Sequence, residues 1–378
     1  MKNYLVITPF FPNNNSYRGS YVYDQINEIR NQTNYNIIVI VITSIYDKKI
    51  KPYNYNGFQC IPFTVIDLPS FLFPGIFQNL NNRRFKKLLL KNKIFDADII
   101  HSHVNYPAGH LAISLKKIFK KSKFLIQHHG LDIYQSLNGR FRLISNLYQR
   151  FFENISNIYL SNYDFNIGVS KLVINQIKKD VFDQSKKIIL YNGVNSSNFF
   201  YKKTKPFNLF TIGCVGNFLK TKDQSTLIKV CLKLINMGYK IQLILVGDGP
   251  MLKKCKNLIP KKNRDSFIFY SEINHFELND FYNKINLFVL PSYFEAFGCV
   301  YTEAWATKTN FIAVKGQGIE EVMSSDMRED NLILPENQKD LFNKILNFYE
   351  NDNFDIKFNS DLLINNTIKN FLSKTDIL

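Results

Sequence analysis

No run of about eighteen consecutive apolar residues occurs in this chain, so no segment reads as a membrane-spanning helix. The opening stretch Met1–Thr8 is too short an apolar run for a secretion signal and reads as a first β-strand, which sets a cytoplasmic expectation. The five cysteines (60, 214, 231, 255 and 299) are odd in number and lack metal-ligand spacing, so reduced thiols are expected rather than bridges or a metal site. The phosphate-cradling ending Gly-Lys-Ser/Thr is absent, which excludes a P-loop. Internal repeats and low-complexity tracts are missing too. Carboxylates are scarce: 31 Asp+Glu stand against 48 Lys+Arg, for a net charge of +17. The shortage is uneven, with 25 basic and 11 acidic residues in 1–200 but 23 and 20 in 201–378.

What the 378 residues do contain is 45% hydrophobic and 15% aromatic side chains, which excludes a disordered chain and gives room for two or three domains. Strand patterns are expected at Tyr4–Thr8, Ile37–Thr43, Ile61–Ile66, Ile99–His101, Lys123–His128, Asn166–Val169 and Ile188–Tyr191. Helices are expected between them at Ser20–Gln32, Gln78–Asn92, Gly109–Phe119 and Gly139–Asn157. The unbroken β-branched run over Ile37–Thr43 suits a parallel strand covered on both faces. A polar, basic segment, Asn195–Asn208, reads as a linker. The alternation then restarts at Leu209–Gly216, with strands at Gln242–Val246, Ser266–Tyr270, Asn286–Leu290 and Asn310–Val314. Two successive α/β domains fit this pattern.

The most informative segment is Pro291-Ser292-Tyr293-Phe294-Glu295-Ala296-Phe297-Gly298, followed by Thr302-Glu303-Ala304. The apolar run Leu287–Leu290 leads into it as a buried strand ending at Pro291. Such a strand–turn–helix unit puts Glu295 on the loop and Glu303 on the helix, a little over two turns apart. Backbone N–H groups near Phe297, Gly298 and Cys299 lie at the helix start, where a phosphate docks well. Carboxylates for hydroxyls and amides for a diphosphate together suit a nucleotide-sugar.

This pattern resembles the Glu-x7-Glu signature of family 4 retaining glycosyltransferases, and other segments match that family in order. They are Thr8–Pro12 with Arg18-Gly19-Ser20, Asp96–His103, Gln127-His128-His129-Gly130-Leu131-Asp132, Tyr191–Asn195, Gly216–Asp223, Leu245–Pro250 and Gly316–Val322. The resemblance implies the GT-B fold: two Rossmann-like domains facing across a deep interdomain cleft. It places an acceptor-binding domain at 1–197, completed by a C-terminal helix at about 360–378, and a donor-binding domain at 198–359. His129, Glu295 and Lys222 are the catalytic candidates it implies. Gly19, Asn217, Lys222, Glu295, Ala296, Phe297, Gly298, Cys299 and Glu303 are those for the donor, with Glu295 on sugar hydroxyls and Glu303 on the ribose. His128 and Asp132 are acceptor-side candidates. Asn217 stands where the family has an arginine, which removes a bidentate phosphate contact, and Lys220 is the available substitute. No Asp-x-Asp pair stands in a metal-binding context, and the resemblance implies no metal and no cofactor beyond the nucleotide diphosphate sugar.

The reaction so implied is glycosyl transfer with retention, to a glycan or lipid-linked acceptor in surface polysaccharide or lipopolysaccharide synthesis. A catalytically weak sugar-nucleotide-binding subunit and a GT-B epimerase are the alternatives; Asn217 favours the former, and the order of motifs argues against the latter. Arg83–Lys91 and Leu115–Lys121 interleave basic and apolar residues at helical spacing. Solvated helix faces explain either alone, whereas both together suggest an anionic membrane surface as partner. The apolar segment Phe71–Phe77 would add a shallow anchor or belong to the core. Peripheral placement on the inner face of the plasma membrane follows as an expectation. Nucleic acid is not expected, since no binding motif accompanies the charge.

Overall fold

The computed structural model describes residues 2–14, 16–68, 73–130, 132–133, 142–204, 206–351 and 356–377, with the side chains of 142–147 and 276 outside the description. The chain divides into two units, Met1–Asn192 with Thr367–Leu378, and Gly193–Asn366.

The first unit is built on strands β1 (Asn3–Thr8), β2 (Asn36–Ser44), β3 (Tyr53–Tyr55), β4 (Phe58–Val65), β5 (Ile99–His103), β6 (Lys123–His128), β7 (Phe165–Gly168) and β8 (Lys186–Ile189). Their order is β3-β4-β2-β1-β5-β6-β7-β8, parallel except for the β3–β4 hairpin. Helices α1 (Ser20–Gln32), α2 (Gln78–Lys91), α3 (His110–Ile113), α4 (Arg142–Ser161) and α5 (Lys171–Ile174) connect them. The β-branched run of β2 lies between β1 and β4, largely buried, as its composition dictates. Helix α1 buries Val22, Ile26 and Ile29, spaced to share one face.

The second unit carries β9 (Phe210–Val215), α6 (Gln224–Asn236), β10 (Ile241–Val246), α7 (Leu252–Asn257), β11 (Phe267–Tyr270), α8 (Leu278–Lys284) and β12 (Leu287–Val289). It continues through α9 (Cys299–Ala306), β13 (Asn310–Val314), α10 (Ser325–Asn331), β14 (Leu332–Ile333) and α11 (Gln338–Glu350). Its strands run in the order β11-β10-β9-β12-β13-β14, all parallel. The last helix, α12 (Ile364–Lys374), leads back to the first unit. There Lys123 Nζ donates to the carbonyl of Thr375 at 2.6 Å, and Phe371 stacks near His101.

Each sheet has a topological switch point, between β1 and β5 in one and β9 and β12 in the other. In open parallel sheets, ligands bind beyond the strand C-termini at such points. Both positions coincide with the motif-bearing loops.

Several expectations need correction. The expected helix Gly109–Phe119 is α-helical only over His110–Ile113 and continues as turns. A full helix would place Lys116 over Lys120 and Lys117 over Lys121, like charges at i,i+4, which disfavour it. The helix expected at Gly139–Asn157 is observed over Arg142–Ser161, with 139–141 outside the described residues. Strands β3 and β14 were not anticipated, although the Asn56-Gly57 turn, both residues at positive φ, is a hairpin signal. The contact division falls at Asn192/Gly193 and Asn366/Thr367, within a few residues of the expected 197/198 and about 360. Val194 pairs with Leu363 through the bonds Val194 N–H to Leu362 O and Ile364 N–H to Val194 O, which ties that segment into the second unit. No helix among the described residues is long and apolar enough to cross a membrane.

Candidate active site

In the second unit the loops after β9 and β12 converge. A short 3-10 turn, Lys220–Lys222, follows β9 and ends at Asp223, whose φ of 46° is left-handed. The turn holds the strand-end loop of β12: the Tyr293 N–H donates to Thr221 O at 2.7 Å, and the Ser292 hydroxyl lies 2.9 Å from the same oxygen. Across this junction Lys222 Nζ pairs directly with Glu295 Oε1, both side chains mostly shielded from solvent. The pair also reaches the neighbouring Cys214, whose thiol burial pushes up to about 12, with Lys222 opposing and Glu295 adding to the shift.

The Glu295 loop is clamped from its other side. Gln317 Nε2 donates to Ser292 O at 2.5 Å, and a Cβ on Gly318 would stand 2.0 Å from Ala296 O. Only glycine allows that approach. Gly298, at φ 82°, opens α9 and packs under Tyr301, whose hydroxyl donates to Leu290 O at 2.7 Å. Ala296, Phe297 and Cys299 therefore sit at a helix start whose macrodipole end is positive. Glu303 lies on α9, its Oε2 accepting from the buried Tyr282 hydroxyl at 3.0 Å. Glu295 and Glu303 thus have different partners, a cation and a phenol.

A cavity of about 360 Å³ lies at the ends of β9, β10 and β11, lined by Gly216, Asn217, Gly247, Asp248 and Glu272 among others. Gly247, at φ 140°, has room for no Cβ because Gly216 O would lie 2.3 Å away. The Gly-Asp-Gly-Pro segment therefore serves first to let two loops pack backbone to backbone. Asn217 is exposed on this cavity, and Lys220 is exposed on the adjoining turn.

In the first unit, Gly19 ends the loop after β1 at φ 90°, and a Cβ there would meet the Phe10 carbonyl carbon at 2.4 Å. Close backbone packing is reason enough for this glycine. The histidines gather at the ends of β5 and β6. His103 Nδ1 lies 2.9 Å from His129 Nε2, His101 stacks on His103, and Tyr4 OH bonds His101 Nδ1 at 2.8 Å. Burial lowers His129 to about 4 and His101 to about 3, and puts His103 well below its ordinary value, so the column is neutral at pH 7. Asp132 staples the turn, its Oδ1 accepting from the N–H groups of His129 at 2.8 Å and Gly130 at 2.7 Å. Burial alone would raise its carboxyl, but hydrogen bonding and charge from His128, the charge of His129 and the His129 N–H bring it below the usual range. His128 is fully buried, 3.5 Å from Asp132 and 3.4 Å from Asn166, a position that orients the turn. A second cavity, about 560 Å³, adjoins this turn, lined by Arg18, Asp47, Asp67, Tyr106 and Asp132 among others. Among the described residues no cluster of His, Cys, Asp and Glu is arranged to hold a metal ion.

The motifs thus place Lys222, Glu295 and the residues of 296–299 around one junction. Asn217 lines the neighbouring cavity, and Glu303 is held by Tyr282. Tyr282 escaped the sequence reading, whereas Ser292, Gln317, Gly318 and His103, which also shape or hold these groups, lay inside matched segments without being assigned a site role. His103 had the further signal of its place at the end of an apolar strand.

Two α/β units with parallel sheets and strand-end sites define the GT-B class of glycosyltransferase fold. Residues 19–198 match the family described as Glycosyltransferase Family 4, and residues 196–363 match Glycosyl transferases group 1. An uncharacterized glycosyltransferase of Methanocaldococcus jannaschii is 30% identical over 287 residues, 74% of this chain and 73% of that protein. The O-antigen chain mannosyltransferase of Salmonella typhimurium is 27% identical over 153 residues, 39% of this chain and 40% of its own. The solved structure of the Anabaena protein HepE in complex with UDP and glucose superimposes with a TM-score of 0.69 at 16% identity, covering 99% of both chains. The chain belongs to the group 1/family 4 glycosyltransferases.

Proposed function

We propose that this chain moves a glycosyl group from a nucleotide diphosphate sugar to a hydroxyl of a glycan or lipid-linked acceptor, with retention at the anomeric carbon. The bond between that carbon and the β-phosphate oxygen breaks and the acceptor oxygen takes its place on the same face. The acceptor's proton departs with the leaving diphosphate or to solvent. The observation that carries this reading is the Lys222–Glu295 pair at the β9/β12 switch point. Lys222 is a cation suited to the charge that grows on the diphosphate, and the start of α9 adds a positive dipole end. Glu295 is a shielded carboxylate suited to sugar hydroxyls, and Glu303, held by Tyr282, suits the ribose. His129, neutral and fixed by His103 and Asp132, takes the reaction-centre role, with His128 and Asp132 shaping the acceptor side.

The cavity beside Asn217 is of a size for a nucleobase, and Asn217 offers it neutral hydrogen bonds in place of a guanidinium. The proposed setting is surface polysaccharide or lipopolysaccharide assembly on the cytoplasmic side of a membrane, in line with the mannosyltransferase relative. No divalent ion is assigned a role. Thermal-shift screening with UDP-, GDP- and ADP-sugars, followed by transfer assays with the stabilising donor, tests the reading. One donor should raise the melting temperature of the wild type and less so that of Glu295→Ala, which should also lose transfer. A Glu295→Ala variant with full transfer would overturn the assignment. A catalytically weak binding subunit, the reading that Asn217 favours, would show the thermal shift without turnover.

A further inference from the structure

Helices α2 and α4 turn apolar side chains outward where the fold gives them nothing to pack on. α2 buries Asn81, Phe85 and Leu89, so its opposite stripe consists of Leu80, Arg83, Lys87, Leu90 and Lys91. Leu80 is 46% exposed and Leu90 61%, at the two edges of that stripe, while on α4 Phe151 is 55% and Ile158 60% exposed, about two turns apart on one face. α2 packs against α3 and α3 against α4, so the three form one layer on the sheet. The turn after α3 adds Ile118, exposed beside Lys117.

Around α2 and the turn after α3 the charge has one sign, while α4 carries Arg142, Arg150 and Glu153. Residues 68–95 hold six Lys+Arg and no carboxylate, and residues 99–131 hold five and none. The Leu115–Lys121 segment is no helix, and Lys116 folds back onto the Asn162 carbonyl, so α2 is the organised part of the face.

Apolar tips set among an excess of lysines and arginines fit one kind of surface well. Protein interfaces are depleted in lysine at their cores. Single-stranded nucleic acid asks for successive aromatic platforms, and of Leu80, Leu90, Phe151 and Ile158 only Phe151 is aromatic. At an anionic bilayer, by contrast, aliphatic tips enter the acyl boundary while cationic heads stay among the phosphates on their long stems. We propose that the outer face of the α2–α3–α4 layer docks on an anionic lipid bilayer. The claim does not rest on the transfer reaction, since the face includes none of the candidate active-site residues.

The test is sedimentation of the full chain with vesicles of phosphatidylcholine alone and of phosphatidylcholine mixed with phosphatidylglycerol, at low and high salt. Binding is expected to the mixed vesicles only, weakening as salt rises. The triple variant Arg83→Gln/Lys87→Gln/Lys91→Gln should lower the partition constant at least about tenfold. Leu80→Gln/Leu90→Gln should lower it while keeping the salt dependence. Unchanged melting temperatures of these surface variants would establish that they fold. Equal binding to both vesicle types, binding to neither, or unaltered binding by both variants would overturn the proposal. So would self-association in solution that the same substitutions abolish.

Discussion

Lys222 Nζ and Glu295 Oε1 are in direct contact across the junction of the β9 and β12 loops. The two charges neutralise one another in a largely shielded setting. On the proposed function, an incoming diphosphate would compete with Glu295 for the ammonium and free the carboxylate for sugar hydroxyls. The pair is therefore a unit. Lys222→Ala and Glu295→Gln should each lower kcat/KM by about 10²-fold or more, the scale of a lost preorganised charge contact. Their double variant should cost little beyond the worse single one, as expected for groups that act together. Steady-state kinetics of the three variants checks this, and additive losses would separate the two roles.

Gly318 owes its identity to packing: a Cβ would stand 2.0 Å from the Ala296 carbonyl oxygen. Gly318→Ala should destabilise the second unit by about 1–3 kcal/mol, the usual range for overpacking, and displace the Glu295 loop. Gly216→Ala is the contrast, since its Cβ would meet Leu290 at an ordinary 3.7 Å, and should stay within about 0.5 kcal/mol. Denaturant unfolding of both variants decides.

The buried histidines, the column and His110, should make the first unit acid-labile. Burial lowers His101 and His110 to about 3 and His129 to about 4, so the native state refuses protons that the unfolded chain accepts below about 6.5. Stability is then full above 6.5 and falls as pH drops, by about 1.4 kcal/mol per pH unit per histidine, until each folded-state value is reached. Melting temperatures from pH 8 to pH 4 should drop steeply below 6.5. His110→Phe, which replaces an imidazole packed among Tyr106, Phe152 and Tyr159, should flatten the slope.

The 2.9 Å contact between His103 Nδ1 and His129 Nε2 holds the orientation of His129 and couples its tautomer to that of His103. His103 is thus a positioning residue. His103→Leu should lower kcat about tenfold, the scale of one buried hydrogen bond, with little change in donor KM. His103→Asn, which keeps a polar nitrogen near the lost Nδ1, should recover part of it.

Much of the architecture was legible because both sheets are parallel and doubly covered, so their strands read as continuous apolar runs such as Ile37–Thr43. The Glu295/Glu303 spacing and the Gly-Asp-Gly-Pro segment were legible for the same reason, as strand-end loops following such runs. The Lys222–Glu295 contact was not, because it joins loops 73 positions apart in sequence and depends on Ser292 and Gln317 holding them. The short α3 was misread because hydrophobic spacing at Leu111, Leu115 and Phe119 persists through turns. The outward stripe of α2 was visible as basic residues mixed with leucines, but which leucines face solvent required the buried Phe85 and Leu89 to be placed.

The central claim is retaining transfer from a nucleotide sugar, and proton NMR of the product formed during turnover tests it most directly. The anomeric coupling of the new glycoside should match that of the donor sugar. Inversion of that coupling, or no consumption of any UDP-, GDP- or ADP-sugar by the folded wild-type chain, would contradict the account.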